Sequence, residues 1–220
     1  MKRMTLNRLA CLRDDTSGVA LIEFAYTLPV ILLMMLAGAE TTNYITTRTR
    51  VSQLALHLAD DAGRMGNGTL LSSKTINEAD INDLFVGANL QSGELDLNGR
   101  GRVILSDLEP VANPNTSNKY KIVWQRCYGT KTSHTSTYGT AGQTNLNGIG
   151  PAGQQVTAQD DNATMFVEVY YEYKPIINLN TIITGIAPSM MMLETASTAV
   201  RDRRDLTQIY NAANVPVASC

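Results

Sequence analysis

Glu23 is the residue whose chemistry most needs an explanation, because it is the only charged residue within the apolar stretch 19–39. A carboxylate inside a bilayer costs about 2.5–3.5 kcal/mol on insertion scales, and pairing with a cation offsets that cost. Cleavage of the chain after Gly18 would create such a cation, the α-amine of Val19, which is largely protonated at neutral pH. Glu23 reaches its own terminus poorly but can reach that of a neighbouring copy displaced along the helix axis. The spacing therefore predicts an ion pair between subunits.

The stretch that carries Glu23 is predicted to be a membrane-spanning helix. Its 21 residues would cover roughly 30 Å, the thickness of the hydrocarbon core. Four basic residues precede it and predict a cytoplasmic N-terminus: Lys2, Arg3, Arg8 and Arg13. Two other interpretations are open, a secretory signal cleaved near Ala37-Gly38-Ala39 and an uncleaved anchor. Both leave Glu23 without a role.

The sequence around Glu23 resembles a known processing site. Gly18 is followed by four apolar residues and then by Glu23-Phe24, as in the prepilin-peptidase site of Tad (tight adherence, type IVc) pilus proteins. With Leu28-Pro29 further along, the segment looks most like the TadE/TadF minor pilins. Classical type IV pilins usually have phenylalanine after the cleaved glycine, so Val19 favours the Tad branch. The strings "VEVYYEYKPI" and "MMMLETASTAVRD" are similar to the C-terminal half of TadE-like proteins.

The resemblance implies a structural protein, a minor pilin or pseudopilin, and not an enzyme; no cofactor or metal is expected. Residues 1–18 would form a cytoplasmic leader, which an aspartate-dependent prepilin peptidase removes between Gly18 and Val19. Glu23 and Phe24 would act in processing and assembly. The further partners would be other Tad minor pilins, the major pilin and the inner-membrane assembly platform.

The same resemblance implies a location and a role. The protein would cross the bacterial inner membrane once, with its C-terminal domain in the periplasm, and would enter the surface pilus on assembly. There it would support pilus biogenesis and surface adherence. The alternative is a binding or adhesin domain that is secreted by a signal peptide or held by a single anchor.

The pattern of apolar residues predicts an α+β fold. It indicates one helix over residues 19–66, with 19–39 in the membrane and the second half packed on an extracytoplasmic domain, 67–220. A second helix is predicted over 75–90, where Thr75 and Glu78 have the spacing of a capping box. The whole is predicted to be pilin-like, with the long helix packed on a small antiparallel sheet.

Alternating residues predict the strands of that sheet. They indicate strands at 94–97 and 102–105 joined by a hairpin at Asn98-Gly99, and further strands at 119–128, 164–174 and 190–200. Tyr120, Ile122 and Trp124 are expected on one face. Residues 130–162 are rich in Gly, Thr, Gln and Asn and are predicted to form a mobile surface loop. The apolar connection 176–188 is either a lid on the core or a contact with the bilayer surface or a partner pilin.

The chain has three cysteines, of which Cys11 lies in the predicted leader. Cys127 and Cys220 remain and can pair, the alternative being two free thiols. A disulfide closing so long a loop contributes about 2–5 kcal/mol.

The remaining chemistry excludes several classes of function. The formal net charge of −2 gives no support to general nucleic-acid binding. His57 and His134 are expected to be ordinary surface residues. No motif typical of a hydrolase, a zinc site or a phosphate-binding loop occurs in the sequence.

Overall fold

The computed structural model describes residues 18–69, 72–177 and 190–220. Residues 1–17, with the predicted leader and Cys11, lie outside the described residues. So does most of the apolar connection 176–188, and both of its interpretations stay predictions.

One long helix, α1, covers Val19–Arg64. Pro29 lies inside it and has no N–H to donate to the preceding turn. In the second half of α1, buried residues recur every three or four positions and form a single stripe: Val51, Leu54, Ala55, Leu58, Ala59, Ala62 and Gly63. The predicted helix is thus present as one element, and it ends two residues before the expected boundary at 66.

The described residues form a four-stranded antiparallel sheet. Its strands are β1 Gly101–Pro110, β2 Tyr120–Tyr128, β3 Thr164–Tyr173 and β4 Met190–Ala199. Their order across the sheet is β2-β1-β3-β4, and every neighbouring pair is antiparallel. The strands predicted at 119–128, 164–174 and 190–200 are confirmed. The predicted fold class, a long helix packed on a small antiparallel sheet, is confirmed as well.

The main core lies between α1 and the sheet. Alternate residues of β3 form the side of this core that the sheet contributes: Met165, Val167, Val169, Tyr171 and Tyr173. A second helix, α2 Glu78–Ser92, lies beside α1 and adds Ile81, Phe85 and Ala88. One face of β3, made of alternate residues, therefore packs against the apolar sides of both helices.

The predicted start of α2 is wrong by three residues. The helix begins at Glu78. Asn77, which precedes it, has an extended backbone, and its N–H donates a hydrogen bond to Asp80 Oδ2 at 3.0 Å. Asn77 and Asp80 therefore form the capping box, in place of Thr75 and Glu78. Thr75 is instead bridged to Asn67, which keeps its backbone out of the helix.

The predicted hairpin around Asn98-Gly99 is also wrong. Residues Gly93–Leu95 form a 3₁₀ turn, and Leu97–Arg100 form a short helix, α3. Asp96 sits between them in a left-handed conformation (φ 50°), and its side chain accepts a hydrogen bond from the N–H of Gly99 at 3.1 Å. Leu95 and Leu97 are both buried in the main core, so their alternation reflects a tight turn and not a strand.

The segment 130–162 contains no helix or strand, as expected of a loop, but it does not lie free at the surface. Ile149 and Ala158 are buried against Tyr120, Ile122 and Phe166 on the face of the sheet opposite α1. The expectation of a surface loop is wrong for these residues, because scattered apolar side chains in a polar segment cover the second face. Mobility of the segment stays a prediction.

Trp124 does not share a face with Tyr120 and Ile122, as the alternation had predicted. The register of β1 with β2 shifts between Ser106, which faces Gln125, and Leu108, which faces Ile122. This bulge adds one residue to β2 and turns Trp124 to the α1 side of the sheet.

Candidate assembly site on the N-terminal helix

The first half of α1 leaves its apolar side chains uncovered. Its most apolar 18-residue window has a mean hydropathy of 2.2 and no buried residue. Leu21, Ile22 and Phe24 are 73%, 56% and 61% exposed. A helix that is apolar all round is stable only when lipid or protein surrounds it. This half of α1 is therefore long and apolar enough to span a bilayer and is built to be covered by other molecules.

The predicted cleavage site lies at the start of α1. Gly18 precedes the helix with φ −78° and ψ −16°, and its carbonyl accepts a hydrogen bond from the N–H of Ile22 at 3.2 Å. Both Gly18 and Val19 are exposed. A side chain at position 18 would meet no atom within 4 Å. No described residue thus shields the bond between Gly18 and Val19.

The carboxylate of Glu23 lies on the same face as Val19, one helical turn further along α1. Its side chain is exposed, and within the described part of the chain it makes no hydrogen bond or ion pair. Phe24 is the next residue around the helix and is also exposed. The helix therefore places Val19 and Glu23 on one free face, with exposed Phe24 on the adjoining side, and no described residue supplies a partner for Glu23.

Glu40, at the other end of the apolar half, was not identified from the sequence. Its Oε1 accepts a hydrogen bond from the hydroxyl of Tyr173 at 2.6 Å. Its Oε2 accepts from the backbone N–H groups of Ile176 and Ile177, each at 3.0 Å. One carboxylate thus ties α1 to the end of β3, just where the apolar stretch of α1 stops.

Two further contacts complete this junction. Asn43 donates to the hydroxyl oxygen of Tyr173 at 2.6 Å, and the ring of Tyr44 meets that of Tyr173 edge to face, with centroids 5.3 Å apart. Burial, together with the hydrogen bond to Glu40, raises the pKa of Tyr173 to about 12. The hydroxyl therefore stays a donor to Glu40 across the physiological range of pH. The sequence signal was available: Glu40 is the first charged residue after the apolar stretch.

Comparison with known proteins bears on the helix that carries this site. Residues 18–60 match the model of the TadE-like protein family. This part of the chain is thus similar to TadE-like proteins. The match begins at Gly18 and covers most of α1, whereas the sheet lies outside it. No curated protein and no solved structure matches the chain.

The C-terminal tail of the chain holds the ends of its helices and strands together. Cys127 and Cys220 meet as a disulfide, with Cα atoms 4.9 Å apart, and the N–H of Cys127 donates to the carbonyl of Ala218 at 2.7 Å. The predicted pairing fits this geometry, and oxidation of the thiols stays a prediction. Arg204 donates to the carbonyls of Ala62 and Met65, at 3.0 and 2.8 Å. A cation thus caps the C-terminal end of α1.

An acidic residue lies under the segment 130–162. Glu168 of β3 is fully buried, accepts hydrogen bonds from the hydroxyl of Ser136 and from the N–H of Thr137, and contacts the hydroxyl of Tyr170. Burial raises the pKa of Glu168 despite these donors. The ring of His134 stacks on Tyr170 with centroids 5.2 Å apart, so His134 is less free than an ordinary surface histidine.

The described residues contain no cluster of three or more His, Cys, Asp or Glu side chains that could hold a metal. His57 is exposed on α1, as predicted. The most developed arrangement of side chains among the described residues is thus an exposed apolar surface along α1, which ends at the junction around Glu40.

Proposed function

We propose that this TadE-like protein is a minor pilin of a Tad-type pilus, cut by a prepilin peptidase between Gly18 and Val19. The single observation that carries the proposal is that two boundaries coincide. The family match begins at Gly18, α1 begins at Val19, and the apolar side chains that follow are exposed. A processing site at that position would release a helix whose first residue is already apolar and uncovered.

The proposed role of Glu23 follows from its distance along α1. Four residues at 1.5 Å per residue separate it from Val19 by about 6 Å. A neighbouring pilin shifted along the axis by a similar amount would bring its new α-amine level with this carboxylate. The absence of a partner for Glu23 among the described side chains supports this, because an unpaired carboxylate in lipid is costly. The pair would fix the register between subunits, with Phe24 filling the space beside it.

The exposed apolar residues of α1 would contact lipid before assembly and the helices of other pilins after it. Before assembly, lipid would surround them, with the leader in the cytoplasm and the sheet in the periplasm, an orientation that the basic residues of the leader support. During assembly, the assembly platform would deliver the protein to other minor pilins and the major pilin, whose helices would replace the lipid. The product would support pilus biogenesis and adherence to surfaces.

Two substitutions separate processing from assembly. Glu23→Ala should leave cleavage largely intact and lower the amount of protein in sheared pili, because only the contact between subunits is lost. Gly18→Leu should block cleavage. Glu94→Ala removes an exposed glutamate from the predicted extracytoplasmic domain, outside α1, and is the matched control for the loss of one negative charge. Immunoblots of cell and pilus fractions measure both steps, and normal incorporation of Glu23→Ala would contradict the proposed role of Glu23.

A further inference from the structure

The position of Glu40 along α1 shows how far the end of the sheet lies from Val19, measured along the helix axis. Glu40 lies 21 residues after Val19, which places it about 30 Å along the helix axis. That distance equals the thickness of the hydrocarbon core, so a bilayer spanned by the first half of α1 has its outer boundary near Glu40. Because the N–H groups of Ile176 and Ile177 bind the Glu40 carboxylate, the end of β3 lies at the same height.

The residues at this height are apolar and uncovered. Ile176 is 70% exposed, and Met190 and Met191, at the start of β4, are 45% and 39% exposed. We name these three residues the membrane-side facet. An open groove of about 460 Å³ is lined by both methionines and by Glu40, Thr41, Tyr44 and Tyr173. Ile176 adjoins this groove through the hydrogen bond from its N–H to Glu40. Exposed apolar groups that adjoin one another mark contact sites for protein or membrane.

We propose that the membrane-side facet inserts into the headgroup–acyl boundary of the bilayer that α1 spans. The position of the facet along the axis of α1 favours lipid as the molecule that covers it. The facet continues the apolar surface of α1 at the level where the hydrocarbon core ends. Its chemistry fits that boundary. Methionine and isoleucine side chains enter the acyl region, tyrosines are favoured at the interface, and exposed Lys174 can reach phosphate groups with its long side chain.

The sequence next to the facet agrees with this occupant. Residues 178–189, which join Ile177 to Met190 in the chain, include no charged residue. If the facet lies in the bilayer in this way, the periplasmic domain has a fixed tilt relative to the membrane. The hydrogen bonds of Glu40 to the end of β3 would then hold that tilt. The inference requires that α1 spans the bilayer and does not depend on cleavage after Gly18.

The test is the depth of a fluorescent label in lipid. The full chain with Cys11→Ser and Ile176→Cys is labelled with an environment-sensitive thiol dye and reconstituted into vesicles of phosphatidylcholine and phosphatidylglycerol. Leu90→Cys is the matched control, since Leu90 is 76% exposed on α2. The neighbouring Gln91 shares a groove with Gln53 and His57 of α1, roughly 20 Å or more beyond Glu40. The parent Cys11→Ser protein gives the background labelling.

We expect brominated acyl chains to quench the label at position 176 several-fold more than the label at position 90, and aqueous iodide to quench it several-fold less. Met190→Cys should behave like Ile176→Cys. Equal iodide quenching at positions 176 and 90, without quenching by brominated lipid, would overturn the proposal. Protection from iodide without quenching by brominated lipid would overturn it too, because protein, such as a second copy, would then cover the facet.

Discussion

The carboxylate of Glu40 accepts a hydrogen bond of 2.6 Å from the hydroxyl of Tyr173 and so joins the long helix to the last residue of β3. The same carboxylate holds the next part of the chain through the N–H groups of Ile176 and Ile177. No other side chain at this end of α1 makes three such contacts among the described residues. Glu40 therefore adds a polar anchor, at the membrane-side end, to the apolar packing between α1 and the sheet.

Replacing Glu40 should loosen this junction. Hydrogen bonds to charged groups contribute about 1.5–3 kcal/mol, so Glu40→Ala should lower the free energy of unfolding by about that amount. Tyr173→Phe, which removes one donor and keeps the ring, should lower it less. Urea unfolding of the full chain in detergent measures the difference, with Glu94→Ala as control. An unchanged midpoint for Glu40→Ala would show that the junction carries no stability.

Two helical glycines should respond in opposite ways to substitution by alanine. Gly87 lies inside α2, where a Cβ would meet nothing within 4 Å, so Gly87→Ala should raise the free energy of unfolding by about 0.5–1 kcal/mol. At Gly63 a Cβ would lie 2.9 Å from the Thr198 methyl group and 3.4 Å from the Ala199 carbonyl oxygen. Gly63→Ala should therefore lose that gain or become destabilising, because α1 and β4 must move apart. Equal gains at both positions in the same unfolding assay would contradict the close packing.

Cys127 and Cys220 should form a disulfide in the mature protein. They are 93 residues apart in sequence, and closing a loop of that length stabilises a fold by about 2–5 kcal/mol. We expect Cys127→Ser and Cys220→Ser, singly or together, to lower the free energy of unfolding by similar amounts. Thiol labelling of the unreduced mature protein should find neither cysteine. Full labelling without reductant, with equal gel mobility before and after reduction, would rule out the bond.

Glu168 should make stability depend on pH. Burial raises its pKa in the folded protein above the ordinary carboxyl value of about 4.3, so the folded state binds the proton more tightly than the unfolded chain does. The contribution of protonated Glu168 to the free energy of unfolding is therefore fully present below the ordinary pKa. It is lost as pH rises through the raised pKa of the folded state. Glu168→Gln keeps a neutral side chain of similar shape. The stability of the wild type relative to Glu168→Gln should therefore fall as pH rises from about 4 upward. A difference that does not change with pH would contradict this, and Glu94→Gln controls for surface charge.

The sequence predicts the elements that have one strong periodicity and misses those built by local exceptions. The long helix and strand β3 follow from regular spacing of apolar residues, and the proposed role of Glu23 follows from one charge in an apolar stretch. The false hairpin at Asn98-Gly99 arises because Leu95 and Leu97 alternate while Asp96 adopts a left-handed turn. Alternation alone does not distinguish a strand from such a turn.

Long-range contacts account for the other differences. Glu40 gains its role from Tyr173, which is 133 residues away, and Ile149 is buried only because the opposite face of the sheet has to be covered. A bulge that shifts one residue of β2 reverses the face of Trp124 without any change in its alternating pattern. These features depend on how distant segments meet, which local composition does not encode.

The central claim is that a pilin helix is released at Val19, and sequencing the N-terminus of the native, membrane-extracted protein tests it most directly. The cells used must contain an active prepilin peptidase. The proposed processing predicts a mature chain that begins at Val19, with Glu23 as its fifth residue. A chain that begins at Glu40 would mean that a secretory signal was removed, and an intact Met1 would mean an uncleaved anchor; either result would contradict the proposed function.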